Sequence, residues 1–236
     1  MEAIILSGGL GTRLRSVVSE LPKPMAPIAG RPFLDFQLKY WAEQGIDRFI
    51  LAVSYKADCI MEYFGNSFQG IPVEYSIEDQ PLGTGGAIRE AMQLLSAQDQ
   101  FLLLNGDTFF DVPLAELTAF HNTQAPVLTF SCYEVENNDR YTGLNVDEQQ
   151  VVTALDVKPG TTQSIKINGG VYLINGEKLA PYFNEQPEKH SFEQIILPAI
   201  VADRAARAWM HQGYFIDIGI PSDFERAQTE ILEHIA

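Results

Sequence analysis

The chain opens on a short apolar segment, Glu2 to Leu6, rich in isoleucine and followed at once by Gly8 and Gly9. That is the pattern of a buried strand running into a turn. From Pro32 to Gln44 the apolar residues Phe33, Leu34, Phe36, Leu38 and Trp41 fall at helical spacing, and Gly45 supplies the stop. Arg48 to Val53 then reads as a second strand, Asp58 to Phe64 as a helix, Val73 to Ile77 as a strand and Ala87 to Leu95 as a helix. Phe101 to Leu104 is a third continuous apolar run, halted by Asn105-Gly106-Asp107. Strands alternating with helices predict an α/β fold, a Rossmann-like, mostly parallel mixed sheet flanked by helices. In such sheets ligands bind in the loops beyond the carboxyl ends of the strands. The unusual loops after Leu6 and after Leu104 both fall on that edge.

The second half is more mixed. Ala125 to Tyr133, Thr142 to Asp147 and Val151 to Leu155 predict strands with hairpin-like connections. Ser191 to Ile200 predicts a helix, Ala208 to Gln212 and Phe215 to Asp217 extended segments, and Pro221 to Leu232 a closing helix. With no repeat, long linker or low-complexity tract, the expectation is one domain over residues 1–236. Its first part, to about residue 110, would handle a nucleotide and the remainder a second substrate.

Composition narrows the classes of function. Apolar residues make up 46% of the 236 and charged residues 20%, as expected of a soluble globular chain. No uninterrupted apolar stretch approaches the roughly 20 residues of a membrane helix. MEAIILSGGL has no basic n-region, so it is not expected to be a secretory signal. Cys59 and Cys132 show no metal-ligand spacing and are expected to be reduced thiols in a cytoplasmic protein. The four histidines are scattered, which argues against a zinc site. A net charge of −15 argues against nucleic acid as a partner but leaves room for a small phosphorylated ligand held locally by Lys, Arg and backbone amides.

Ser7-Gly8-Gly9-Leu10-Gly11-Thr12-Arg13 directly follows the first strand. Its glycines let the backbone approach an anion, and its amides suit a phosphate nest; the same glycines also suit an ordinary tight turn. The loop lacks the Gly-Lys-Ser/Thr ending of a P-loop. Pro22-Lys23-Pro24 holds Lys23 in a stiff extended segment, which presents its ammonium either to a phosphate or to solvent. A second glycine cluster, Pro81-Leu82-Gly83-Thr84-Gly85-Gly86-Ala87, runs into a helix; the glycines let a flat ring lie against backbone and the helix N-terminus favours an anion. Asp107 and Asp217 are each set in apolar surroundings, where a carboxylate needs a cation or hydrogen-bond donors. Magnesium is a fitting cation, because it takes one or two carboxylates and completes its shell with phosphate oxygens and water.

GGLGTRL followed by PKPM and Pro32-Phe33-Leu34 resembles the opening of the sugar-1-phosphate nucleotidyltransferases, and PLGTGGA is similar to the family's nucleotide-binding loop. The resemblance implies a GT-A-like nucleotidyltransferase fold. It implies nucleotide contacts at Leu6, Gly8, Gly9, Gly11 and Thr12, and at Glu78, Pro81, Gly83 and Thr84. It makes Arg13 and Lys23 the catalytic cations and gives Mg²⁺ to Asp107 and Asp217 of the NGD and IDxG motifs. Thinner matches after Asp107 imply sugar-phosphate contacts from Asn105, Gly143, Lys158, Asn168, Gly170 and Glu193, although bland turn roles suit several of these equally.

Glu78 stands where thymidylyl and uridylyl members often carry glutamine. A carboxylate only accepts hydrogen bonds, so it can serve guanine N1–H and the 2-amino group but cannot donate to a pyrimidine carbonyl. Unless Glu78 is simply a solvated loop carboxylate, the nucleotide is GTP. Val157-Lys158-Pro159 departs from the family's frequent Glu-Lys-Pro, which removes a hydroxyl acceptor and implies an altered sugar pocket. The segments most resemble compact members that join GTP to a D-glycero-D-manno-heptose 1-phosphate. The same chemistry with mannose 1-phosphate, or with a hexose 1-phosphate and UTP or dTTP, is the alternative, and a catalytically silent nucleotide-sugar sensor is the alternative of another class. Oligomeric state stays open, a homo-oligomer included.

Overall fold

The structure is a computed structural model that describes residues 1–9, 21–97, 99–136, 141, 143–157 and 164–235. Its first strands are β1 (Glu2–Leu6), β4 (Arg48–Val53), β6 (Ile71–Ile77) and β7 (Gln100–Asn105). They lie side by side in parallel, with Ile4 between Ile50 and Leu103. β1, β4 and β7 are apolar runs rather than alternations because helices cover both faces of the sheet, whereas β6, nearer the edge, is only partly buried. Phe49 to Val53 and Phe101 to Leu104 are buried throughout.

The intervening helices are α1 (Phe33–Glu43), α2 (Ala57–Phe64) and α3 (Gly83–Ala91). Pro27–Ile28 and Arg31–Pro32 pair as the small ribbon β2–β3 ahead of α1, and β5 (Ser67–Phe68) edges the sheet beside β6. The second half contributes β8 (Thr108–Phe110), α4 (Leu114–Gln124), β9 (Leu128–Val135), β10 (Gly143–Val146), β11 (Val152–Val157) and β12 (Ile165–Asn175). It closes with α5 (Gly176–Leu179), α6 (Leu197–Ala202), β13 (Ala206–Met210), β14 (Phe215–Asp217) and α7 (Pro221–His234).

Ten strands form one mixed sheet, in the order β11-β10-β12-β7-β1-β4-β6-β5, with β9 joining β12 to β13. Ala87, Ile88 and Ala91 of α3 and Leu197 and Ile200 of α6 pack on one face. Leu34, Leu38 and Trp41 of α1, with Ile60 of α2 and Leu117 of α4, pack on the other. A third cluster brings Phe33 and Phe36 of α1 against Phe109, Ile216 and, from α7, Phe224 and Ile231.

The elements differ from those expected at several points. Strand β12, the longest, goes unpredicted because Asn168-Gly169-Gly170 interrupts its pattern. Gly169 lies against the Phe110 ring, and the pairing of β12 with β9 shifts register between Asn168 and Tyr172, so the glycines mark an irregularity within a strand, not its end. The helix α4 also goes unpredicted; it ends at Ala125, which takes a left-handed conformation at φ 44°, so the following strand starts at Leu128 rather than at Ala125. Helix α3 starts at Gly83, four residues ahead of the expected Ala87, and Ser191 to Ile200 divides into a wide π turn over Phe192–Ile196 and then α6.

Candidate active site

The parallel strands all end at the same edge, and the residues just beyond them line one cleft of about 530 Å³. Gly8 and Gly9 follow β1, Ser54 follows β4, Glu78 follows β6, and Gly106 and Asp107 follow β7; Lys23, Pro24, Pro81, Gly83, Thr84 and Glu193 complete much of the wall. Of the residues singled out from the sequence, the cleft thus gathers Leu6, Gly8, Gly9, Lys23, Glu78, Pro81, Gly83, Thr84, Asn105, Asp107 and Glu193. Gly11, Thr12, Arg13 and Lys158 lie outside the described residues. Ser54 and Ala52 were missed, although the rule that ligands gather beyond strand ends applies to the loop after Val53 as much as to the two loops chosen.

Lys23 lies in a 3₁₀ turn, Lys23–Met25, whose amides are tied back on the loop: Met25 N–H donates to Pro22 O and Ala26 N–H to Lys23 O. The turn holds its ammonium 2.7 Å from Asp107 Oδ2, with 12% of the lysine side chain exposed and 35% of the aspartate's. Asp107 is positioned by close backbone approach. Gly106 N–H donates to Leu6 O at 3.0 Å, and a Cβ on Gly106 would collide with that same carbonyl. Glycine is needed here for the close approach of two chains.

Asp217 arrives on the neighbouring backbone. It stands opposite Thr108 where β14 pairs with β8, and Ile218 N–H donates to Asp107 O at 3.0 Å. Its Oδ1 accepts from Gly219 N–H at 2.7 Å, and the position of a Gly219 Cβ lies 2.7 Å from that oxygen and 3.3 Å from Lys23 Nζ. Two carboxylates and one ammonium therefore converge at this end of the site. No group of three or more His, Cys, Asp or Glu suited to a metal occurs among the described residues. Two hard carboxylate donors with open room beside them nevertheless match magnesium, which draws its remaining ligands from phosphate and water. The Lys23 ammonium on Asp107 is the cation this donor set already attracts.

At the other end Glu78 is half-buried. Its Oε2 accepts from Leu82 N–H at 2.8 Å, while Oε1 faces Gly8, 3.4 Å from where a Cβ would sit. Burial raises its carboxyl above the usual glutamate value, and the Leu82 amide partly offsets this. One oxygen thus fixes the loop and the other faces Gly8, in a cleft wall that both residues line.

The glycines of the second loop also make room for a distant segment of the chain. They form the first turn of α3, and Gly85 N–H donates to His190 O while His190 N–H donates to Leu82 O, at 3.0 and 2.9 Å. A Cβ on Gly85 would strike the His190 ring, and one on Gly86 would lie 2.6 Å from Glu188 O. At Gly85 and Gly86 the absent side chains admit the segment 188–193, while Gly83 also lines the cleft. Thr84 completes the junction: its hydroxyl accepts from Phe192 N–H at 2.9 Å and donates to Glu193 Oε2, which also accepts from Ser191 Oγ.

The remaining predicted contacts lie on the adjoining strands. Gly143 pairs with Val157 across β10 and β11. Gly170, at φ 76°, packs against Thr108 and Asn105. Asn168 donates to Tyr172 OH and accepts from Gly170 N–H at 3.0 Å, so its amide braces a turn. Tyr172 is buried, and burial with the nearby Glu193 charge raises its phenol well above the ordinary value.

The nucleotidyl transferase family pattern matches residues 2–234. The chain is 45% identical to the D-glycero-alpha-D-manno-heptose 1-phosphate guanylyltransferase of Campylobacter jejuni, over 95% of this chain and 97% of that one. It is 44% identical to the enzyme of the same name from Aneurinibacillus thermoaerophilus, over the whole of both. Among solved structures, HddC from Yersinia pseudotuberculosis complexed with GMP-PN superposes with a TM-score of 0.81 at 36% identity, covering 96% of this chain and 97% of that one.

Proposed function

The chain belongs to the nucleotidyl transferase family, and from that premise we propose that it transfers GMP from GTP to D-glycero-α-D-manno-heptose 1-phosphate, releasing pyrophosphate. The observation that carries this reading is the polarity of the cleft. Lys23 and Asp107 gather charge at one end, with Asp217 on the adjoining backbone, and Glu78 offers only hydrogen-bond acceptors at the other. Guanine presents adjacent donors at N1 and the 2-amino group; uracil and thymine present one ring donor between carbonyls. The relatives named above carry the sugar assignment.

In the reaction an oxygen of the sugar phosphate attacks the α-phosphorus of GTP. A new P–O bond forms, the bond from that phosphorus to the bridging oxygen of the β-phosphate breaks, and pyrophosphate leaves with the electron pair. The attacking oxygen is already ionised at neutral pH, so no general base is required. Catalysis then consists of positioning and charge stabilisation.

Members of this family generally use a divalent metal, and Asp107 and Asp217 would hold Mg²⁺ here. Bound there, it would neutralise phosphate charge in the transition state. Lys23 supplies an ammonium from a stiff turn, and Gly8, Gly9 and the loop that continues to Gly11, Thr12 and Arg13 would receive the triphosphate. Glu193, oriented by Thr84 and Ser191, and the backbone near Gly143 and Gly170 would meet sugar hydroxyls, with Asn105 and Lys158 toward the sugar phosphate. No helix among the described residues is long and apolar enough to cross a membrane. We place the enzyme in the cytoplasm, making a GDP-sugar for surface polysaccharide.

The test is pyrophosphate release with Mg²⁺ from each of GTP, ATP, UTP and dTTP, paired with heptose, mannose and glucose 1-phosphates. Release that is fastest with GTP and the heptose supports the reading. Preference for UTP or dTTP would overturn the role of Glu78, preference for mannose 1-phosphate the sugar, and no release from any pair the enzyme itself.

A further inference from the structure

Gln37 is a polar side chain in the middle of α1, yet it is only 1% exposed. Its side-chain amide donates to Asn105 O at 2.9 Å and also to Thr108 O. Those carbonyls belong to the last residue of β7 and the first of β8, immediately either side of Gly106-Asp107. A backbone carbonyl drawn away from water needs a donor, and Gln37 supplies one to each of these two.

The same helix is tied to the lysine segment, because Phe33 N–H at its start donates to Ala26 O at 2.9 Å, just beyond the Lys23–Met25 turn. The aspartate loop in turn holds the second carboxylate, since Asp107 O accepts from Ile218 N–H. One side chain therefore stands between the support of Lys23 and the shared support of Asp107 and Asp217.

We propose that Gln37 is a positioning residue that sets the separation of Lys23, Asp107 and Asp217, and through it the affinity of the site for its divalent cation. This rests on the reading of the two aspartates as ligands of that cation. Gln37 touches no substrate in this scheme; it acts through the backbone of the Asn105–Thr108 turn.

The test replaces Gln37 with methionine, which keeps the length and removes both donors, and with asparagine, which keeps the amide one methylene short. Mn²⁺ binding to each protein in the presence of GTP is followed by the loss of the free-ion electron paramagnetic resonance signal beyond that caused by the same GTP without protein. GTP binding is measured separately in EDTA. Gln37→Met is expected to weaken Mn²⁺ binding about tenfold or more, and Gln37→Asn by less, with metal-free GTP binding unchanged in both. A lowered melting temperature with wild-type Mn²⁺ affinity would overturn the proposal and leave Gln37 a structural residue only. If Gln37→Met fails to fold, Gln37→Asn decides alone, and wild-type metal affinity in it overturns the proposal. Absence of Mn²⁺ binding in the wild-type protein would overturn it through the aspartates. Because metal binding is read directly with GTP, the outcome does not depend on which sugar phosphate the enzyme accepts.

Discussion

Changing Glu78 to Gln separates guanine recognition from everything else the residue does. In the present structure Oε2 holds Leu82 N–H at 2.8 Å, and Oε1 faces Gly8 in the cleft wall. A glutamine can keep the loop intact by leaving its carbonyl oxygen on Leu82 N–H, which turns its NH₂ toward the base. Two donors of guanine would then meet a donor, and one charge-assisted hydrogen bond would be lost outright. Hydrogen bonds to charged groups contribute about 1.5–3 kcal/mol, and an unmatched donor adds to that, so the combined effect is about 2–4 kcal/mol. At 1.4 kcal/mol per tenfold, kcat/KM for GTP should fall about 30- to 700-fold. Steady-state pyrophosphate release measures this, with UTP and dTTP alongside; their kcat/KM should rise relative to GTP, because the NH₂ can donate to a pyrimidine carbonyl. The melting temperature should hold or rise, since the variant removes a half-buried charge whose carboxyl is already raised by burial. A GTP kcat/KM within about threefold of wild type, in a protein that melts normally, would refute guanine reading by Glu78.

Four further outcomes follow from the geometry. The affinity for GTP should weaken as pH falls, starting above the ordinary glutamate value of 4.5, because Glu78 binds its proton early and a protonated carboxyl loses acceptor capacity. For folding the sign is opposite: the native state binds that proton more readily than the unfolded chain, so Glu78 costs stability as pH rises through its raised value. A GTP KM that stays flat to pH 4.5 would contradict the first, and stability that does not fall as pH rises above 4.5 in wild type relative to Glu78→Gln the second. Lys23→Ala should cut turnover by about 10²- to 10³-fold with little change in melting temperature, since Asp107 is open enough to be hydrated; near-normal turnover would remove Lys23 from the mechanism. Thr84→Val should raise the sugar-phosphate KM by about three- to tenfold while leaving that of GTP nearly unchanged, through loss of one donor to Glu193; an effect confined to GTP would place Thr84 on the nucleotide instead. Gly85→Ala should destabilise the fold by about 1–3 kcal/mol in urea titration, because the new methyl group meets the His190 ring; wild-type stability would mean that the 188–193 segment yields easily.

How much of this was legible in the sequence depended on how local each cause is. The parallel core could be read because a strand buried on both faces is an apolar run whatever its neighbours are. The carboxyl-end rule then put the loops after Leu6 and Leu104 at the ligand, and it would have found Ser54 had it been applied to Val53. What was not legible has distant causes. Gly83, Gly85 and Gly86 are small because His190 and Glu188, more than 100 residues further along the chain, press against them. Gln37 looks like the polar stripe of a surface helix until its two carbonyl partners, Asn105 and Thr108, come into view. Strand β12 disappeared behind its glycines because the ring that rests on Gly169 belongs to Phe110. Lys23 and Asp107 were legible as separate motifs, but their ion pair was not, since it spans 84 positions.

The long strand β12 also bears on how such a protein can change its substrate. It pairs with β7 from Val171 to Asn175, beside the loop that carries Asp107, and with the β10–β11 hairpin near Lys166. A strand moves within a sheet only by whole residues, and a step of one turns every side chain to the opposite face. The span between the metal end and the hairpin that bears Gly143 and Val157 is therefore quantised; it cannot be tuned by small degrees. A roomier or tighter sugar would have to be met by changes in individual side chains, against a ruler of fixed length. Substrate range in proteins sharing this sheet should accordingly shift through single substitutions along the hairpin, with the distance between the two ends of the cleft preserved.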